Sequence, residues 1–129
     1  MSSAFVLDAY AWVEYLDGSP RGRKVQDIIE DERSRVYTCA VTIAEVVSKF
    51  IRREKDPKVA YDAITSNSII INIDQEISRL AGEKHAEVRK RVKDFGLADA
   101  YVLVCSNVQQ ATILTGDSHF TGMPKTMFI

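Results

Sequence analysis

Residues 4–16 read AFVLDAYAWVEYL. Ala4 to Leu7 is a short apolar run of strand length that stops at Asp8, and AYAWVEYL behind it carries apolar residues at helical spacing up to the Gly18-Ser19-Pro20 break. The segment therefore predicts a strand, an acid at its end and a helix. The same alternation continues outward. From Pro20 to about Arg33, the residues Val25, Ile28 and Ile29 mark a second amphipathic helix, with Pro20 suited to a first helical turn. Val36 to Ala40 reads as the second strand. Thr42 opens a third helix to about Glu54, with Ile43, Val46, Val47, Phe50 and Ile51 on its apolar face, and Pro57 starts a shorter fourth one, PKVAYDAITSN.

Ile69 to Ile73 is a continuous apolar, β-branched run, the pattern of a strand with helices on both sheet faces. A long polar helix follows from about Gln75 to Lys93, capped by Asp74 and broken near Phe95-Gly96. Leu97 to Gln110 reads as a helix that is nearly all apolar on one side, Ala111 to Thr115 as a fourth strand and Thr126 to Ile129 as a short last one. Strands alternating with helices predict a parallel sheet between helix layers. In such open sheets ligands bind outside the carboxyl ends of the strands, where strand order reverses. Asp8 and Asp117 both fall at that edge.

A chain of 129 residues fits one domain, 1–129, able to bury about two-thirds of the surface its unfolded form exposes. With 46% hydrophobic and 27% charged residues it has an ordinary globular composition, which favours neither disorder nor a membrane protein. MSSAFVLDAYAW has no basic leader, and Asp8 interrupts its apolar stretch, so a cytoplasmic location is expected. Cys39 and Cys105 stand far apart with no CxxC pair, which argues against a zinc ribbon, a redox dithiol or a disulfide framework and predicts two buried reduced thiols. The net charge of -1 excludes a generally basic coat for nucleic acid, although a local basic patch is invisible in that total.

Four acids stand at element starts or strand ends: Asp8, Glu45, Asp99 and Asp117. Each has a structural explanation. Asp8 and Asp99 precede helical patterns and suit N-caps. Glu45 lies three residues after Thr42, the capping-box spacing. Asp117, in Thr-Gly-Asp-Ser, suits a turn. Together they say more than singly, because carboxylates converging without lysine or arginine repel strongly unless a hard cation binds. Mg²⁺ or Mn²⁺ is the natural companion, leaving coordination positions for a phosphate and for water.

The segments FVLDAYAWVEYL, VTIAEVVSKF, GLADAYVLVCSN and TILTGDSHF, in that order, resemble the four signature regions of the PIN-domain family. The resemblance implies a three-layer α/β/α sandwich with a central parallel sheet and cleavage of single-stranded RNA dependent on Mg²⁺ or Mn²⁺. It further implies kinship with the toxins of VapBC-type pairs, with an antitoxin protein and further copies of the chain as partners and no membrane. Asp8, Glu45, Asp99 and Asp117 match the family's acidic positions as metal and catalytic residues, and Thr115 matches a hydroxyl residue two places before the last acid. Some relatives carry another acid near the last one, where this chain has His119; a histidine there is more often a surface or packing residue than a base.

Substrate binding requires cations. Lys49, Arg52, Arg53 and Lys55 cluster at the end of the third helix, and Lys84, Arg89, Lys90, Arg91 and Lys93 line the fifth, although a solvated helix face explains any one of them equally well. Arg52 and Arg53 are the candidates for positioning RNA. Tyr10 and Trp12 are candidates to stack on a base, though aromatic residues at this spacing are more often core. Two other functions share parts of the pattern. A receiver-type phosphoacceptor module would use Asp74 after the third strand, but its acidic pair after the first strand is absent, Lys125 precedes the last strand, and Asp99 would have no role. A catalytically silent RNA- or protein-binding module would keep the fold without the chemistry, against the intact set of acids.

Overall fold

The computed structural model describes residues 3–129. Among these, five strands, β1 (Ser3–Leu7), β2 (Ser34–Cys39), β3 (Ile69–Ile71), β4 (Thr112–Thr115) and β5 (Thr126–Phe128), form one sheet. They alternate with helices α1 (Ala9–Asp17), α2 (Pro20–Glu30), α3 (Ala40–Arg52), α4 (Pro57–Asn67), α5 (Gln75–Arg89) and α6 (Leu97–Gln109), and a 3-10 turn at Ser118–Phe120 joins β4 to β5. Every pairing is parallel, in the order β3-β2-β1-β4-β5. This is the α/β/α sandwich expected from the alternation of elements.

The period-two pleat of the central strands sorts side chains into two cores. Phe5 and Leu7 of β1 and Leu114 of β4 pack with Trp12, Val46 and Phe50 under the layer made by α1 to α4. Val6 and Ile113, one residue out of phase, pack with Ala100, Val104 and Cys105 under α5 and α6. Four helices start on side chains that accept a bond from a first-turn N–H: Asp8 from Ala11, Ser19 from Gly22, Asp56 from Lys58 and Asp74 from Ile77. Pro20 and Pro57 occupy first helical positions, where their missing N–H costs nothing.

Several boundaries differ from the sequence expectation. Helix α3 starts at Ala40 rather than Thr42: β2 ends at Cys39, and the good helix former Ala40 continues directly into the turn. Thr42 then lies inside the first turn, buried, with its hydroxyl unpartnered, so it caps nothing. Strand β3 stops at Ile71 instead of Ile73 and forms a sheet edge; Ile69 is 56% exposed, so the apolar run is not covered on both faces. Helix α5 ends at Arg89 rather than Lys93, and the chain turns so that Phe95 can bury its ring edge-on against Phe120, centroids 6.0 Å apart.

Cys39 and Cys105, distant in sequence, meet across the core as free thiols with Sγ atoms 2.9 Å apart. Spacing along the chain gave no sign of this contact, because it is made by the crossover of α6 over the sheet. Among the described residues no helix is long and apolar enough to cross a membrane.

Candidate active site

The chain runs outward from β1 through β2 to β3 on one side, and then returns to place β4 and β5 on the other. Strand order therefore reverses between β1 and β4, the position where open parallel sheets leave a crevice at their carboxyl edge. Asp8 directly follows β1 and Asp117 lies two residues beyond β4, so both stand at this crevice. Asp74 does not. It follows the edge strand β3, with β2 between that strand and β1, and its side chain caps α5. An acceptor site shared with the acid after β1, as the receiver reading requires, is not assembled.

Asp8 is buried, with 5% of its surface exposed. One oxygen, Oδ1, accepts from the Ala11 N–H at 2.9 Å and caps α1, while Oδ2 accepts from the Thr115 hydroxyl. The structural role expected for Asp8 is real and leaves its charge uncompensated. Burial pushes its carboxyl up to about 7; the bonds from Thr115 and Ala11 hold it back, and the neighbouring charges of Asp117 and Glu45 push it further.

Thr115 is fully buried, and its oxygen also accepts from the Asp117 N–H at 2.9 Å. Its hydroxyl is committed to the Asp8 carboxylate and the Asp117 backbone, and none of it is exposed. Asp117 makes the expected turn, its Oδ1 accepting from the His119 N–H at 2.9 Å. Asp99, at the third position of α6, accepts from the Gly96 N–H at 2.9 Å through Oδ2. Glu45 makes no capping bond, since α3 begins five residues before it; burial raises its carboxyl to about 7, followed by the charges of Asp99 and Asp117, with Lys49 opposing. The four acids thus form one electrostatic group. Among the described residues none of them is ion-paired with lysine or arginine.

An open cleft of about 520 Å³ leads to this group, lined by Ala9, Tyr10, Glu45, Lys49, Arg52 and Asp117 among others. Arg52, one of the two arginines expected to position RNA, lines the cleft. Arg53 does not: its Nη1 lies 3.3 Å from Asp17 Oδ2, and Lys55 shares the same carboxylate. The cations of α5 line no part of the cleft. Trp12 is fully buried and donates from Nε1 to Thr38, which makes it core. Tyr10 reaches the cleft because position 116 is glycine; a Cβ there would lie 2.1 Å from the tyrosine ring. Arg21 holds the Tyr10 hydroxyl at 2.6 Å.

His119 is the residue whose position the sequence did not reveal. Its Nδ1 is 3.0 Å from Asp99 Oδ2 and 3.4 Å from Asp117 Oδ1, and one potential ligand atom from each of these residues lies within 4.8 Å of the others. The signal available was its spacing, two residues after Asp117, which a turn at Asp117 folds back toward α6.

Fold and site define an open parallel α/β protein whose carboxylates gather at the topological switch point. The PIN domain family matches residues 5–125, and the chain belongs to that family. Its fold resembles VapC20 of Mycobacterium tuberculosis, a sarcin-ricin loop cleaving toxin, with a TM-score of 0.76 and 14% identity over 94% of this chain and 95% of that one. VapBC2 of Rickettsia felis, solved with a promoter DNA fragment, gives 0.74 and 15% over 98% and 97%. FitAcB of Neisseria gonorrhoeae gives 0.70 and 20% over 97% and 96%. No curated protein matches the sequence significantly.

Proposed function

We propose that this chain is a single nuclease domain that cleaves single-stranded RNA with Mg²⁺ or Mn²⁺, as the toxin of a toxin–antitoxin pair. The observation that carries the proposal is the group formed by Asp8, Glu45, Asp99 and Asp117, gathered at the switch point without lysine or arginine pairing. Membership of the PIN domain family and the toxin–antitoxin complexes among its structural neighbours support it. Carboxylates held at about 7 by burial and mutual repulsion need a cation to stay ionised together, and hard oxygen donors fit Mg²⁺ or Mn²⁺. When bound, such an ion activates a water and neutralises charge developing on the phosphate.

The chain's own residues would do the rest. Asp117 and Glu45 line the cleft and would offer oxygens to the ion, with Asp99 beside Asp117; Asp8 completes the charge, and Thr115 fixes its orientation. Lys49 and Arg52 on α3 bind the backbone phosphates of the RNA, and the ring of Tyr10 presents a face for a base. An antitoxin and a second copy of the chain are the expected protein partners. The test is incubation of purified protein with single-stranded RNA. Cleavage is expected with Mg²⁺ or Mn²⁺ and none in EDTA; undiminished cleavage in EDTA rejects the metal mechanism, and no cleavage with either ion rejects the nuclease.

A further inference from the structure

We propose that His119 Nδ1 is a direct metal ligand beside Asp99 and Asp117, which makes this a mixed nitrogen–oxygen site that takes a first-row transition ion in preference to Mg²⁺. The inference rests on the metal-dependent reading above and adds the donor that decides which metal. Its basis is geometric. Cis donors on an octahedral ion with metal–ligand distances of about 2.1 Å lie about 3 Å apart. The imidazole nitrogen is 3.0 Å from Asp99 Oδ2 and 3.4 Å from Asp117 Oδ1, close to the separation of cis donors, and one ligand atom from each of the three residues lies within 4.8 Å of the others.

The ring is also held before any ion arrives, its Nδ1 3.0 Å from Asp99 Oδ2 in a hydrogen bond that the ion would replace. Its own backbone N–H is bonded to Asp117 Oδ1, and the next residue, Phe120, is fully buried against Phe95. A histidine fixed from both sides loses little freedom on binding, whereas a merely solvated one would. The side chain is 31% exposed, so it is reachable from solvent. The other histidine, His85, lies within α5 and has no acidic pair around it among the metal-competent groups of the described residues.

The chemistry then selects the ion. Mg²⁺ binds oxygen and holds its waters strongly, so an imidazole in its shell adds little. First-row transition ions accept imidazole nitrogen readily, with affinity increasing from Mn²⁺ toward Cu²⁺. Coordination through Nδ1 puts the ring proton on Nε2.

Mn²⁺ alone, added to the RNA-free protein, provides the test. Pulsed electron paramagnetic resonance should show ¹⁴N coupling to the bound ion in wild type and none in His119→Ala. By calorimetry, His119→Ala should bind Mn²⁺ about 10- to 100-fold more weakly, as loss of a supporting group at metal sites typically does. Mg²⁺ affinity should change little, and His119→Asp should narrow the Mn²⁺ preference by restoring an oxygen donor. Mn²⁺ bound without ¹⁴N coupling, or equally tightly by His119→Ala, overturns the inference and leaves the carboxylate site standing. Failure to bind either ion overturns both.

Discussion

The Thr115 hydroxyl donates to Asp8 Oδ2 across the two strands that flank the switch point. Because the same oxygen accepts from the Asp117 N–H at 2.9 Å, one buried side chain sets the spacing of two acids. Thr115→Val keeps the shape and leaves a buried carboxylate oxygen and an N–H short of a partner. A loss of about 1–3 kcal/mol by denaturant unfolding is expected, with a larger proportional loss of RNA cleavage. Thr115→Ser should restore most of both.

In EDTA, stability should fall as pH rises. Burial holds the Asp8 and Glu45 carboxyls at about 7 in the folded chain, against ordinary values of 3.8 and 4.5. Between those limits the folded state holds more protons than the unfolded one, so the slope of unfolding free energy with pH is negative. The melting temperature should therefore drop between pH 5 and pH 8, and Asp8→Asn, which keeps the cap on α1, should flatten the drop. Stabilisation by Mn²⁺ should grow over the same range, because the ligands must lose their protons to bind it. A melting temperature that climbs through this window in EDTA contradicts the assignment.

Glu45→Gln removes the charge and retains the size. With Thr42 buried inside the helix there is no capping box to break, so the variant should fold as well as wild type and lose most of its cleavage. Full activity in Glu45→Gln would take Glu45 out of the site.

Gly116→Ala tests the Tyr10 wall of the cleft. A Cβ 2.1 Å from the ring forces the tyrosine to move, and it must leave Arg21 to do so. Cleavage should weaken mainly through the Michaelis constant for RNA, while metal binding stays the same. An unchanged Michaelis constant would show that Tyr10 is not part of the RNA surface.

Element types were legible along most of the chain because apolar period and punctuation agreed: Pro20 and Pro57 start helices, Gly18 ends one, and Asp8 and Asp74 cap others. Boundaries failed where burial overrode local signals. Thr42 resembled a cap, but the start of α3 is fixed by the end of β2; Ile69–Ile73 resembled a fully covered strand, but the order of the sheet puts it at an edge. The common edge of Asp8 and Asp117 was legible because it follows from parallel topology alone, whereas Glu45 and Asp99, inside helices, were singled out by the resemblance to the family. The Cys39–Cys105 contact was not legible, since it depends on how α6 crosses the sheet, and His119 offered only its spacing from Asp117, which says nothing of the approach of Asp99 from α6.

The most direct measurement of whether these carboxylates form a metal site is the melting temperature of wild type and Asp117→Asn, each in EDTA and with Mn²⁺. Asparagine can still accept the His119 N–H through Oδ1, so the turn survives and only the charge is lost. Like charges several ångströms apart near a surface repel by about 1–3 kcal/mol at an effective dielectric near 20. Asp117→Asn should therefore melt higher than wild type in EDTA, and saturating Mn²⁺ should raise wild type far more than the variant, since a ligand stabilises only the state that binds it. If Asp117→Asn melts no higher in EDTA and Mn²⁺ shifts both proteins equally, Asp117 is a turn residue and the metal site is wrong.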